Sequence, residues 1–353
     1  MAELIEGTEP IALSPIPLYT SKDLVSDQDI RWCPGCGDYS ILKQVQAVIP
    51  EFGIPRENLV FISGIGCSSR FPYYMETFGV HSIHGRAAAI ASGLKMSRPE
   101  LSVWIVSGDG DSLSIGANHF VQLLRRNLNV NLLLFNNEIY GLTKGQFSPT
   151  SHAGIVTKST PYGAIDHPLN PASLALGADG SFVARTLDRD VKHLRETLKR
   201  AQEHIGTSMV EIYQNCVIFN DGAFEPFTDK GQKATNDIFL EQGKPLVFGA
   251  KGEFGIRLDG IKPTVVNLND SGFSKNDLWI HDETDQSKAA ILSRFFDMPG
   301  DEGFLPRPFG VLFAKPRALY EEDMQNQINN AVSTKGAGSL DKLLSGRETW
   351  VIE

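Results

Sequence analysis

The 353-residue sequence predicts an α/β protein built on a doubly wound parallel sheet with a C-terminal extension. Three observations carry that expectation. Short apolar runs alternate with amphipathic stretches from Leu59 to Tyr213, the rhythm of parallel strands with helices on both faces. Glycine, aspartate or asparagine follows the strand-like runs, where such sheets bind ligands. The composition, 41% hydrophobic and 21% charged, is that of an ordinary globular protein able to bury a core.

The elements follow in order. Residues 1–30 hold Pro10, Pro15 and Pro17 with little periodicity and read as an extended arm. Cys33-Pro34-Gly35-Cys36-Gly37 then opens a helix, because Ile41, Leu42, Val45, Val48 and Ile49 recur at helical spacing until Pro50. Next come a strand over 59–63, a glycine loop, a small-residue helix over 85–97, a strand over 101–106, a helix over 113–128 and a strand over 130–135. A strand near 181–185, a helix over 189–204 and a strand over 208–213 complete a domain spanning 31–216. Residues 217–353 read as an extension packing on the domain or on a partner subunit. Short strands are expected there at Leu246–Gly249, Gly255–Leu258 and Val265–Leu268, with helices near 283–297 and 318–331.

Composition also excludes classes. Thirty-three basic against 42 acidic residues give a net charge of -9, which argues against duplex DNA as the main partner. Apolar runs such as Leu132–Phe135 are four residues long, against the roughly 18 needed to cross a bilayer. The N-terminal MAELIEGTEP is acidic and broken by proline where a secretory signal is basic and then apolar. A cytoplasmic protein, with neither nucleic acid nor membrane as partner, is expected. Four cysteines are too sparse for a disulfide scaffold and in a reducing compartment read as ligands, nucleophiles or core fillers.

Two constellations carry chemistry. Gly108-Asp109-Gly110 follows one expected strand, and Asn136-Asn137 follows the next with 25 residues between. A divalent ion bridging a diphosphate needs hard oxygen ligands. Asp109 offers a carboxylate, Asn137 an amide oxygen and Ile139 a backbone carbonyl. Gly108 and Gly110 let the backbone approach phosphates, and the helix beginning near Leu113 points its N-terminus there. The second constellation is Cys33 and Cys36 in CPGCG, Cys67 in Gly64-Ile65-Gly66-Cys67-Ser68-Ser69, and Cys216. The last two lie just past strand ends on one side of a parallel sheet, so four thiolates converge. Such a set suits a [4Fe-4S] cluster or a structural Zn²⁺.

GDG, a spacer of this length and NN look like the thiamine diphosphate and Mg²⁺ motif. The run Tyr140-Gly141-Leu142-Thr143-Lys144-Gly145-Gln146-Phe147-Ser148-Pro149-Thr150 is similar to the beta subunit of 2-oxoacid:ferredoxin oxidoreductases. The likeness extends from about Trp32 to Cys216 and more weakly through Phe248. It implies a sheet of the thiamine diphosphate-binding type. The cofactor would lie against Ile65, Gly66, Ser68, His84, Gly108, Gly110, Asp111, Tyr140 and Gly141. The resemblance also implies one [4Fe-4S] cluster on Cys33, Cys36, Cys67 and Cys216. As chemistry alone, His84 at a loop-to-helix junction serves equally well as a structural donor.

The implied reaction takes 2-oxoglutarate, coenzyme A and oxidised ferredoxin reversibly to succinyl-CoA, CO₂ and reduced ferredoxin. Arg70, Leu142, Thr143 and Lys144 are the candidates for substrate binding, since a distal carboxylate needs a cation and arginine pairs with it bidentately. Nothing in the chain supplies the second thiamine-type domain whose glutamate activates the cofactor in related enzymes. An alpha subunit, in an (αβ)₂ assembly, is therefore expected. Pyruvate or a branched-chain 2-oxoacid is the alternative substrate. A non-oxidative thiamine-dependent decarboxylase subunit, with zinc or no metal at the cysteines, is the alternative enzyme. A zinc-stapled interaction protein would leave the paired GDG and NN without a purpose.

Overall fold

The computed structural model describes residues 18–270, 272–296, 304–350 and 352. The first 17 residues of the expected arm, and Asp297 at the end of the helix expected over 283–297, lie outside the described residues. The described part of the arm lies along the protein. Leu24 is fully buried, the Tyr19 hydroxyl donates to the Ile54 carbonyl at 2.7 Å, and Val25 bridges to Met75.

Eight strands form one sheet: β1 (Leu59–Ser63), β2 (Phe78–His81), β3 (Ser102–Gly108), β4 (Val130–Asn136), β5 (Phe182–Leu187), β6 (Ser208–Tyr213), β7 (Asp237–Phe239) and β8 (Arg307–Ala314). Their spatial order is β2-β1-β3-β4-β6-β5-β8-β7. The first six run parallel; β8 is antiparallel to β5, and β7 is parallel to β8.

The period-two pattern sorts side chains between two cores, one on each face. Val60, Ile62, Val103, Ile105, Leu132 and Leu134 point to one face and meet α2 (Ala87–Ser97), α3 (Ala117–Arg126) and α4 (Pro171–Gly177). Leu59, Phe61, Trp104, Val106, Leu133 and Phe135 point to the other and meet α1 (Asp38–Val48) and α5 (Val191–Glu203). Burying an aliphatic or phenyl side chain of this kind contributes about 1.5–3 kcal/mol. Apolar burial on both faces explains why the strands read as continuous runs.

Three departures from the expected elements have local causes. The helix expected over 113–128 begins as a π-helical turn over Asp111–Ile115 and becomes α-helical only at Ala117. Gly116 permits this, since a Cβ there would stand 2.3 Å from the Asp111 carbonyl. β2 escapes notice because all four of its residues are exposed, so no alternation marks it. β8 is hidden by Pro308 and by Gly310 at φ +115°, residues that break a strand pattern.

The extension from residue 217 onward does more than pack on the sheet: it supplies β8 and β7, which continue the sheet beyond β5. The three expected short strands form a separate antiparallel sheet over Val247–Phe248, Phe254–Asp259 and Lys262–Asn267. Three more helices follow among the described residues, α6 (Gln286–Leu292), α7 (Tyr320–Lys335) and α8 (Leu340–Ser345). Among the described residues, no helix is long and apolar enough to cross a membrane.

Candidate functional site

Strands β1, β3, β4 and β6 are parallel neighbours, so the loops leaving their carboxyl ends meet at one edge. Those loops carry Gly64–Cys67, Asp109–Asp111, Asn137–Ile139 and Gln214–Cys216. The CPGCG turn at the start of α1 joins them. Cys36 N–H donates to the Cys33 carbonyl at 3.0 Å, Gly35 takes φ +85°, and Gly37 N–H donates to the Asn215 carbonyl at 3.2 Å.

Two clefts open here. The first, about 660 Å³, is lined by Ile65, Gly66, Ser68, His84, Gly108, Asp109, Gly110, Asp111, Ile139, Tyr140 and Thr143. The second, about 790 Å³, is lined by Cys33, Cys36, Cys216, Arg31, Arg70, Lys144, Gln214 and Trp32 among others. Cys67, Asn137, Gly141 and Leu142 line both and form the common wall. Every candidate ligand and binding residue named from the sequence thus lines one cleft or the other, while Asn136 of the NN pair is buried behind them.

In the first cleft Asp109 is 3% exposed, and burial pushes its carboxyl up to about 6 against the hydrogen bonds it accepts. The Thr150 hydroxyl reaches its Oδ2 at 2.6 Å and the Asn136 Oδ1 at 2.9 Å. Asn136 Nδ2 donates in turn to Glu211 Oε1 at 2.9 Å, and Glu211 Oε2 pairs with Arg185 Nε at 2.7 Å. A chain of polar contacts therefore runs from the centre of the sheet to Asp109. On the next loop Glu138 sits at φ +57°, and Asn137 Oδ1 accepts from Ile139 N–H at 3.2 Å. The Asp109 carboxylate, Asn137 amide and Ile139 peptide give this cleft the hard oxygen donors that a Mg²⁺ ion takes.

Asp111 plays a different part from its neighbour. Its Oδ1 accepts from Ile65 N–H at 3.1 Å, Gly85 N–H at 2.6 Å and His84 Nδ1 at 2.6 Å, while its Oδ2 accepts from the Ser107 hydroxyl. These bonds tie the loop after β1 and the start of α2 to β3. His84 thereby turns its other ring nitrogen, Nε2, away from Asp111. At Gly110 the room left by the missing side chain goes to the Tyr140 ring, which a Cβ would meet at 2.2 Å, rather than to an approaching ligand. The Tyr140 hydroxyl donates back to the Gly110 carbonyl at 3.0 Å.

In the second cleft all four cysteines are free thiols. Gly141 stands between two of them: a Cβ there would lie 3.5 Å from Cys216 Sγ and 3.7 Å from Cys67 Sγ. Burial pushes the Cys36 thiol far up and the Cys67 thiol up to about 12, with the carboxyl of Asp38 adding to both. Trp32 Nε1 holds the loop after β1 by donating to the Cys67 carbonyl at 2.6 Å. Among the described residues no three His, Cys, Asp or Glu side chains are gathered as ligands of a single ion. Arg70 donates from Nε to the Tyr74 hydroxyl at 2.9 Å and lies 5.7 Å from the Tyr73 ring centre. It faces the cysteine cleft together with Arg31 and Lys144, whereas Thr143 faces the Asp109 cleft.

Sequence reasoning missed Thr150 as the partner of Asp109 and Gln214 as part of the cysteine cleft. Gln214 carries the signal used for Cys216, a position just past the end of β6.

Residues 64–212 match the family described as thiamine pyrophosphate enzyme, C-terminal TPP binding domain. The chain is 50% identical over 336 residues to the 2-oxoglutarate oxidoreductase subunit KorB of Mycobacterium tuberculosis, a match covering 94% of this chain and 88% of that one. The chain belongs to the family of 2-oxoacid:ferredoxin oxidoreductase beta subunits. A beta subunit of 2-oxoacid:ferredoxin oxidoreductase from Saccharolobus solfataricus is 44% identical over 201 residues, 56% of this chain and 66% of that one. A solved structure of 2-oxoglutarate:ferredoxin oxidoreductase from Magnetococcus marinus, with 2-oxoglutarate, coenzyme A and succinyl-CoA bound, superposes with a TM-score of 0.73 at 31% identity. It covers 95% of this chain and 97% of that one. The chain is thus a subunit of an oxidoreductase with a domain of the thiamine diphosphate-binding kind, on the α/β sheet that the sequence predicts.

Proposed function

We propose that this beta subunit binds thiamine diphosphate through Mg²⁺ at Asp109, Asn137 and the Ile139 carbonyl, and one [4Fe-4S] cluster at Cys33, Cys36, Cys67 and Cys216. With an alpha subunit, in an (αβ)₂ assembly in the cytoplasm, it would convert 2-oxoglutarate and coenzyme A to succinyl-CoA and CO₂ and pass the electrons to ferredoxin. The observation that carries this reading is the common wall of Cys67, Asn137, Gly141 and Leu142 between the oxygen-donor cleft and the four-thiol cleft. An oxidative decarboxylation needs an electron acceptor beside its cofactor, and this wall puts the two donor sets back to back.

The residues suit these groups. Asp109 is a buried carboxylate that burial alone keeps partly protonated, so a divalent cation beside it restores the charged form. Cys36 and Cys67 are likewise held as neutral thiols by burial, and metal coordination removes that proton. All four sulfur-bearing residues line one cleft. Four thiolates suit a [4Fe-4S] cluster, and a cluster rather than zinc supplies the electron acceptor that the oxidative reaction needs. Gly141 keeps the wall thin: a Cβ there would already be in van der Waals contact with the sulfurs of Cys216 and Cys67.

Thiamine diphosphate, when bound, supplies the carbon nucleophile and electron sink that 2-oxoacid decarboxylation requires. The chain's own residues bind and orient. Asp109, Asn137 and Ile139 hold the diphosphate end through the metal, and Asp111 locks Ile65, His84 and Gly85 into the wall above it. Arg70 and Lys144 offer cations to a distal carboxylate, and Leu142 on the common wall offers an apolar contact. The alpha subunit would supply the glutamate that activates the cofactor.

The test is a substrate panel on the anaerobically purified two-subunit complex with coenzyme A and ferredoxin. Reduction of ferredoxin that depends on 2-oxoglutarate and on both subunits is expected. Preference for pyruvate, or turnover by the isolated beta chain, would contradict the reading.

A further inference from the structure

Gln214, the first residue past β6, is 1% exposed, and both N–H groups and the oxygen of its side-chain amide are engaged. Its Nε2 donates to the Asn215 carbonyl at 2.6 Å and to Cys36 Sγ at 3.3 Å, and its Oε1 accepts from Asn137 Nδ2 at 2.8 Å. The backbone is held as well, because Gln214 N–H donates to the Asn136 carbonyl at 2.9 Å. These partners set the orientation of the amide. Turned over, it would put its oxygen against the Asn215 carbonyl and the Cys36 sulfur, and its N–H groups against those of Asn137. Gly37 adds to the confinement, since a Cβ there would meet Gln214 Cγ at 3.0 Å. One buried amide thus touches Asn137 of the oxygen-donor cleft and Cys36 of the four-thiol cleft.

We propose that Gln214 is a positioning residue that serves both cofactor sites, orienting Asn137 toward the metal-diphosphate with its carbonyl end and tuning the iron-sulfur cluster with its N–H end. The inference rests on the assignment of those two sites made above and adds a residue that the assignment does not contain. At the Asn137 end, accepting from Nδ2 leaves Oδ1 as the atom turned to the Ile139 side of the first cleft. At the Cys36 end, an N–H donor to a ligand sulfur stabilises the more negative, reduced cluster, and such bonds raise cluster potentials. The carbonyl of Asn215, which shares Nε2, ties the amide to the loop that carries Cys216.

Two substitutions separate the ends. Gln214→Met removes both, and Gln214→Glu keeps an acceptor for Asn137 while replacing the donor to sulfur with a carboxylate. The complex with its alpha subunit, purified anaerobically, is titrated by redox-monitored EPR for the cluster and by calorimetry for thiamine diphosphate with Mg²⁺. In Gln214→Met the cluster midpoint shifts to more negative potential and thiamine diphosphate affinity falls about 10-fold, the worth of one hydrogen bond of about 1.4 kcal/mol. In Gln214→Glu the midpoint again shifts negative, while affinity stays within about threefold of the parent. A parent-like midpoint in both variants would overturn the tuning role, and parent-like affinity in Gln214→Met would overturn the orienting role. A parent complex without iron, or without thiamine binding, would overturn the underlying site assignment instead.

Discussion

Arg185 on β5 and Glu211 on β6 form an ion pair of 2.7 Å in which each side chain is 1% exposed. Glu211 also accepts from Asn136, and Arg185 Nη1 donates to the Pro308 carbonyl at 3.3 Å, so the pair ties β4, β5, β6 and β8 together. Removing one partner leaves a buried charge without its counterion, which costs about 3–5 kcal/mol. Arg185→Met should therefore lower the denaturation midpoint steeply, and Arg185→Met with Glu211→Leu should recover part of the loss. Additive losses in chemical denaturation would show that the two charges are not coupled.

Asp109 sets stability against function. Its carboxyl is raised by burial from 3.8 to about 6, so the unliganded protein is favoured fully below pH 3.8 and loses about 3 kcal/mol as pH rises through 6. Asp109→Asn keeps an acceptor for Thr150 and removes the titration. That variant without cofactors should be more stable than the parent at pH 8 and no more stable near pH 3.5. Asp109→Ala should abolish thiamine diphosphate binding in calorimetry while the fold survives. Retained binding would remove Asp109 from the metal site.

Cys67 belongs to the wall shared by both clefts. Cys67→Ser replaces a soft thiolate with a hard, protonated hydroxyl, which suits iron poorly. The cluster should be lost or altered in its EPR spectrum, and ferredoxin reduction should fall steeply. Normal ferredoxin-linked turnover in this variant would make the cysteines structural.

Arg70 faces the thiol cleft with Nε already engaged by Tyr74, leaving its outer nitrogens for a ligand carboxylate. A charge-assisted hydrogen bond at a buried site is worth about 1.5–3 kcal/mol, or about 10- to 150-fold. Arg70→Met should weaken kcat/KM for 2-oxoglutarate by that factor and leave pyruvate, which has no distal carboxylate, nearly unchanged. Equal losses for both substrates would assign Arg70 to holding Tyr73 and Tyr74.

Much of this architecture is legible in the sequence because the parallel strands are buried on both faces: Leu59–Ser63 and Val130–Asn136 read as unbroken runs whose ends carry the GIGC and NN motifs. What was not legible lies where burial pattern and role part company. Phe78–His81 is an exposed edge strand, and Arg307–Ala314 begins with a proline and contains a glycine, so neither shows a strand period. Asp111 sits in the GDG motif beside Asp109, yet its oxygens accept from Ile65, His84, Gly85 and Ser107. Only three-dimensional placement separates a carboxylate that faces a ligand from one that locks a loop. Thr150 and Gln214, 41 and 178 residues from the Asp109 and Cys36 they touch, carry no spacing signal of that contact.

The most direct test of two cofactors meeting at one wall is metal and sulfide analysis, with a visible spectrum, of the beta subunit in complex with its alpha subunit after anaerobic purification. About four irons and four acid-labile sulfides per beta chain, with a broad absorbance near 400 nm bleached by 2-oxoglutarate and coenzyme A, are expected. A colourless complex holding one zinc per beta chain would contradict it.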